Sequence, residues 1–260
     1  MESTFSGAEG RASDPAPQPC RIWGFWWTTA FTVLCLIVWA VAQIVVAMAL
    51  YRWLGEGAGL GSRLGPDSLY ALAIALATII SAPPALAVLV FSIRRAGCSL
   101  ADYLALTWPT TRALIEGVIL VLLLVTLGDV TSYLTGHDIV PETVVDAYRT
   151  ARASGDLVIL GIAAVVAAPL IEELIFRGFM FPGYAASRLG VIGAIIVTSA
   201  VWASMHIQYE PFYIGQIAVL GCLLGCLRWR SGSTLLTIAL HAMVNLIAIL
   251  QVAYLVERAM

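Results

Sequence analysis

The sequence predicts an all-α membrane protein, a polytopic transmembrane bundle of seven to eight spans with a polar cavity inside the membrane. Hydrophobic residues make up 60% of the 260 residues and charged residues only 12%, and the mean hydropathy is +0.91. A soluble domain carries about 25% charged and about 45–50% apolar residues. The apolar residues also form runs long enough to cross roughly 30 Å of hydrocarbon. The net charge of −2 and the absence of a basic block argue against a nucleic-acid partner.

The first 155 residues predict a tail followed by three spans. Residues 1–22 are rich in Pro, Ser, Gly and Ala and predict a disordered cytoplasmic tail, without a cleavable signal peptide. Residues 23–155 predict an N-terminal transmembrane region, in which Pro83-Pro84 should break or kink the second span. The predicted spans lie at about 28–50, 69–93 and 113–134.

The polar residues 136–155 predict the one substantial extramembrane loop, with His137 as a solvated side chain. Asp129, late in the third span, is expected to lie near the lipid headgroups, with a role in a polar site as the alternative. The odd number of cysteines, five, and their apolar surroundings predict no disulfide framework. Cys222 and Cys226 are expected to be small buried residues, since two thiols alone make a poor metal site.

The arginines predict the orientation of the bundle. Every basic side chain is Arg, and the positive-inside rule favours a cytoplasmic N-terminus, because most arginines then lie on the cytoplasmic side. An Arg-only, Ala-rich composition resembles a GC-rich bacterial coding bias. The chain is therefore expected to be a multi-pass protein of a bacterial inner membrane, surrounded by lipid.

Residues 156–256 predict a C-terminal transmembrane core with four further spans. The first of them carries Glu172, Glu173 and Arg177 in an otherwise apolar run. A charged group near the bilayer centre costs roughly 2.5–3.5 kcal/mol on the mildest scale, so these groups need polar partners from other helices. Helical spacing supplies three i,i+4 pairs along the core. They are Glu173 with Arg177, Trp202 with His206, and His241 with Asn245.

The polar groups of three helices are expected to converge on one cavity, because buried polar groups in lipid must meet polar partners. The alternative is that they are structural contacts between helices. A buried carboxylate with an imidazole can deprotonate a trapped water, as Glu172 and His206 would. A second imidazole with an amide, His241 with Asn245, can stabilise an oxyanion. Glu172, His206 and His241 would equally suit a three-ligand zinc site, although no HExxH motif is present.

Three motifs in order over about 157–250 resemble the CPBP (CAAX protease and bacteriocin-processing, Abi) family of intramembrane endopeptidases. They are Glu172-Glu173-x-x-x-Arg177, Trp202-x-x-x-His206, and His241-x-x-x-Asn245 preceded by Gly232-Ser233. Trp202 stands where Phe is commoner in the family. The first 150 residues match only as generic spans.

The resemblance implies a role for each motif residue. Glu172 with His206 would activate water, and His241 with Asn245 would form the oxyanion hole. Glu173 and Arg177, together with Trp202, would support the site. The family includes metalloproteases and metal-independent glutamate-type proteases, and the second type is favoured here, so no cofactor is required. A divalent metal, zinc, on Glu172, His206 and His241 is the alternative.

The expected substrate is a peptide or a lipidated membrane protein. Two other functions stay open: a non-catalytic immunity or scaffold protein that kept the fold, and a proton-coupled transporter using Glu172 and the histidines. A transporter would be expected to show inverted repeats, which the sequence does not show. On straight helices Glu172 and His206 would differ in depth by roughly 10 Å. The span carrying His206 should therefore tilt or break before Tyr209.

Overall fold

The computed structural model describes residues 20–57 and 59–258, and the regular secondary structure within them is entirely helical. The predicted disordered tail lies outside the described residues up to position 19. The helices are α1 (Phe25–Arg52, continued by a π-helical turn over Trp53–Gly57), a 3-10 turn (Leu60–Ser62), α2 (Pro66–Ile80), α3 (Ala82–Arg95), α4 (Leu100–Tyr103), α5 (Thr111–Thr135), α6 (Glu142–Ser154), α7 (Leu157–Ala185), α8 (Gly190–Ser204), α9 (Pro211–Ser231) and α10 (Thr234–Arg258).

Six helical segments of the described chain are long and apolar enough to cross a membrane, which confirms the predicted all-α membrane bundle. They are α1, α2 with α3, α5, α7, α9 and α10, and α8 is a shorter apolar helix. The break in the second span is confirmed at Ser81, just before Pro83 and Pro84. Both prolines then occupy the first turn of α3, where the missing N–H has no intrahelical partner to lose.

The long helix α7 is the centre of the bundle and is not a uniform α-helix. π-Helical stretches at Ile162–Ala167 and Leu174–Met180 flank an α-helical segment at Ala168–Glu173. Residues 173–181 are all buried, with Phe176 and Phe179 fully enclosed. Packing against neighbouring helices, and not solvent or lipid, therefore surrounds this part of α7.

Helices α8 and α9 approach each other closely at Gly221 and Gly225 of α9. A Cβ on Gly221 would lie 2.8 Å from the Ser199 side chain and 3.1 Å from Trp202, and one on Gly225 would lie 3.2 Å from Ile195. Only glycine permits this backbone separation. The approach fixes α8, which carries Trp202, against α9.

Three sequence predictions about the connections are wrong. Residues 136–155 contain the helix α6, whose Tyr148 packs against α10. His137 is half-buried and stacks on Phe212 at a ring-centroid distance of 3.9 Å, so it is not a freely solvated side chain. Cys20 and Cys98 form a disulfide. Counting cysteines along the sequence could not reveal that the chain before α1 meets the turn after α3.

The Cys20–Cys98 disulfide lies at the end of the bundle where α1 begins, so its redox state can test the predicted orientation. The positive-inside rule predicts that this face is cytoplasmic, and cytoplasmic thiols are kept reduced. We therefore expect Cys20 and Cys98 to be free thiols in cells and to pair only when isolated membranes are oxidised. Acid quenching followed by differential alkylation and mass spectrometry measures both states. Cys35, which is buried in the bundle, is the control and should stay unpaired throughout. A disulfide present in cells would reverse the predicted orientation.

Candidate active site

Helix α8 ends at Ser204, so His206 lies beyond its last residue. Fifteen residues span Gly190–Ser204, which corresponds to about 22 Å of helix and is shorter than the roughly 30 Å of hydrocarbon. His206 therefore lies in the connection between α8 and α9. The predicted break before Tyr209 is confirmed. Irregular backbone within the hydrocarbon region of a membrane is tolerated where it lines a cavity.

One cavity of about 790 Å³ brings the predicted site residues of α7, α8, α10 and the connection after α8 together. Its wall includes Glu172, Trp202, His206, His241 and Asn245. Most of the remaining wall is apolar, with side chains from α5, α9 and α10. Concave, mainly apolar sites with a few convergent polar groups are typical of ligand-binding pockets.

The Glu172 carboxylate is held by the indole of Trp202 and lies beside His241. Trp202 Nε1 donates a hydrogen bond of 2.6 Å to Glu172 Oε2, and His241 Nε2 lies 4.0 Å from the same oxygen. Neither a hydrogen bond nor an ion pair joins Glu172 to His206, although both line the cavity. Trp202, which the sequence suggested as a supporting residue, thus fixes the orientation of the carboxylate.

Glu173 and Arg177 lie behind the cavity wall and are both fully buried. Arg177 Nη1 donates to Glu173 Oε1 at 2.8 Å, and Arg177 Nη2 donates to the Gly221 carbonyl at 3.1 Å. The guanidinium also lies 4.6 Å from the centroid of the Trp202 ring, within cation–π range. The pair therefore connects α7, α8 and α9, and the guanidinium supports one face of the Trp202 ring.

Both imidazoles are anchored through Nδ1. His241 Nδ1 lies 3.1 Å from Glu173 Oε1, and His206 Nδ1 lies 3.0 Å from the Trp202 carbonyl. Because a carboxylate and a carbonyl accept hydrogen bonds, each Nδ1 is assigned as the donor. The Nε2 atom of each ring is then the one left for chemistry, and in His241 this atom faces Glu172.

Asn245 is fixed by the first π-helical stretch of α7. Its Nδ2 donates a hydrogen bond of 2.7 Å to the carbonyl of Ala164. A π-helical turn changes the backbone pairing of its residues, and such turns frequently occur at functional sites. The amide group has a second N–H, which the Ala164 contact does not use.

Tyr209 is a cavity residue that the sequence reasoning used only as a boundary. It lines the same cavity, and its ring is parallel to that of His206 at a centroid distance of 6.1 Å. An aromatic residue three positions after His206 in a helix-breaking segment was the only sequence signal for it.

The suggested zinc ligands are not arranged as a metal site. In the described part of the chain, no group of three His, Cys, Asp or Glu side chains lies close enough to hold a metal ion. Glu172 Oε2 accepts the hydrogen bond from Trp202, and although His241 Nε2 lies 4.0 Å from this oxygen, His206 is not gathered with the two as a third ligand. The side chains as placed therefore do not fit a three-ligand centre.

Comparison with known proteins gives a family match over the part of the chain that forms this site. Residues 154–247 match a family model described as Type II CAAX prenyl endopeptidase Rce1-like. This range contains every residue of the candidate site. A search of curated proteins and a search of solved structures gave no match.

The buried ion pair gives a prediction for stability. Arg177→Met would leave the Glu173 carboxylate buried without its cation, so we expect a loss of about 3–5 kcal/mol of unfolding free energy. The matched control is Arg149→Met, which breaks the exposed Arg149–Asp146 pair and should cost less than about 1 kcal/mol. Thermal unfolding in detergent micelles measures both. Equal, small effects of the two changes would contradict a structural role for Arg177.

Proposed function

We propose that this protein is an intramembrane endopeptidase that works in the cavity beside Glu172. The premise is that residues 154–247 belong to the CPBP family of type II CAAX prenyl endopeptidases. Its substrate would be a peptide bond of a membrane-associated protein, either membrane-spanning or lipidated. The mainly apolar wall of the cavity suits such a substrate.

The observation that carries the proposal is the convergence of a carboxylate and two imidazoles on one cavity. Glu172, His206 and His241 come from three separate parts of the chain and line the same space. Each has a partner that fixes its orientation: Trp202 for Glu172, the Trp202 carbonyl for His206 and Glu173 for His241. Preorganised groups of this kind lower the reorganisation needed during reaction.

In the proposed first step, a water between Glu172 and His206 loses a proton to this pair. Its oxygen attacks the carbonyl carbon of the scissile peptide, and the carbonyl oxygen becomes an oxyanion. General-base catalysis of this kind typically contributes about 10²–10⁴-fold. His206 can take part through Nε2, because its Nδ1 is engaged with the Trp202 carbonyl.

In the second step, the oxyanion is stabilised and the amine leaves. Asn245 would donate its second N–H to the oxyanion, together with His241 Nε2. For that role His241 must carry hydrogen on both nitrogens, since Nδ1 donates to Glu173. The proton taken from water then passes to the peptide nitrogen, the carbon–nitrogen bond breaks, and the carboxylate and amine products separate. In this scheme water is the nucleophile, so no serine or cysteine is needed to form the tetrahedral intermediate.

We also propose the glutamate-type mechanism over the metalloprotease mechanism. The proposal rests on the placement of the side chains, because Glu172 is bonded to Trp202 and is not gathered with His206 and His241 at coordination distances. The carboxylate and imidazole already provide a base.

Removal of the Glu172 charge is the central test of the peptidase. Glu172→Gln keeps the shape and the Trp202 hydrogen bond but removes the base, so cleavage should fall by at least about 100-fold. Mass spectrometry of new protein termini, in membranes containing the wild type or the variant, measures this change. Thermal unfolding should be nearly the same for both proteins.

The matched control for Glu172→Gln is Glu116→Gln, which neutralises a carboxylate of α5 outside the cavity. It should leave the pattern of new termini unchanged. If the termini made by the wild type persist in Glu172→Gln, the peptidase mechanism is wrong, and a non-catalytic immunity or scaffold role becomes the better account.

Metal removal tests the proposal that the mechanism is of the glutamate type. We expect purified protein treated with EDTA or 1,10-phenanthroline, then dialysed, to keep its cleavage rate, because the proposed base is Glu172 itself. The rate before and after treatment, with metal analysis of the same samples, is the measurement. Loss of activity that zinc restores would establish the metalloprotease alternative with Glu172, His206 and His241 as ligands.

A further inference from the structure

A second polar group lines the cavity away from Glu172. Asp129 of α5 and Gln251 of α10 both face this space, and Gln251 Nε2 donates a hydrogen bond of 2.8 Å to Asp129 Oδ2. Gln216 of α9 lies nearby on the wall, and its Nε2 donates to the Gly128 carbonyl and to Ser132, each at 3.3 Å. The sequence alone favoured a headgroup location for Asp129, with a role in a polar site as the alternative, and the structure places its side chain on the cavity wall.

The Asp129 carboxylate has no cationic partner within the described residues. Its hydrogen bond from Gln251 is neutral, and the ion pairs of the described chain involve other carboxylates. An ionisable side chain in a transmembrane segment that is not paired by the protein is expensive to keep and marks a functional site. A positive group of a ligand in the cavity would supply the missing partner.

The spacing along α10 allows an estimate of the separation between this group and the reacting carboxylate. His241 contacts Glu172, and Gln251 contacts Asp129. Ten residues separate His241 from Gln251, which corresponds to about 15 Å of helix. An extended peptide covers about 3.3 Å per residue, so the same distance corresponds to four or five residues. The cavity volume of about 790 Å³ is sufficient for several side chains.

We propose that Asp129, oriented by Gln251, is a substrate-specificity site that binds a basic side chain four or five residues from the scissile peptide bond. This inference rests on the proposed peptidase function and adds the class of substrate: a membrane-associated peptide with Arg or Lys at that distance. Asp129 is a binding residue and takes no part in bond cleavage. Gln216, held by backbone and by Ser132, forms the neutral edge of the same subsite.

Cleavage profiling tests the position and charge of the recognised residue. The probe is a library of synthetic peptides with randomised residues, incubated with the full-length protein in lipid nanodiscs and analysed by mass spectrometry. Wild type should enrich Arg and Lys at one position four or five residues from the cut, by roughly tenfold over Gln. Asp129→Asn, which keeps the Gln251 hydrogen bond, should abolish that enrichment.

The matched control is Asp146→Asn, an exposed carboxylate of α6 outside the cavity, which should keep the wild-type preference. Cleavage by the wild type without a basic preference at that distance would overturn the subsite and leave the peptidase proposal intact. The same holds if the preference persists in Asp129→Asn.

A binding measurement separates the subsite from catalysis. A fluorescent Leu/Ala peptide with a single Arg is titrated against Glu172→Gln protein in nanodiscs and compared with the same peptide carrying Gln. The Arg peptide should bind roughly tenfold more tightly, and the added Asp129→Asn change should remove the difference. If no peptide is cleaved but this difference is found, the peptidase proposal fails while the subsite stands. Equal binding of the two peptides would overturn the subsite.

Discussion

The buried contact between Arg177 and Glu173 is the interaction on which the rest of the site depends. Water is not there to solvate either charge, so each must be satisfied by the protein. Glu173 also orients His241, and Arg177 bonds to the Gly221 carbonyl and supports Trp202, which in turn holds Glu172. Four helices therefore meet at one ion pair, and the reacting groups project from it into the cavity.

Much of this arrangement could be predicted from the sequence, because lipid leaves polar side chains few alternatives. Long apolar runs define the spans, and the polar pairs at i,i+4 on α7 and α10 are visible by counting. The role of Trp202 was less predictable. Its spacing from His206 suggested a shared helix face, yet His206 lies past the end of α8, and the direct partner of Glu172 is the Trp202 indole.

The features that the sequence did not predict are contacts between segments far apart in the chain. Nothing near Cys20 or Cys98 indicates that the two meet, and nothing near His137 indicates that Phe212 covers it. The role of Asp129 was ambiguous for the same reason, because it depends on Gln251, a hydrogen-bond partner more than one hundred residues away. Periodicity describes one helix at a time, whereas these contacts require the packing of several.

The two π-helical stretches of α7 have a consequence for the geometry of the whole helix. Each stretch places more residues in a turn than an α-helix does, so the side chains after it are rotated relative to those before it. The segment Ala168–Glu173 is thus turned independently of both ends of α7. Within this segment, neighbouring side chains point about 100° apart, so Glu172 lines the cavity while Glu173 is enclosed among the helices. A rotation of the segment would therefore turn both carboxylates together, without moving the residues that pack at either end of α7.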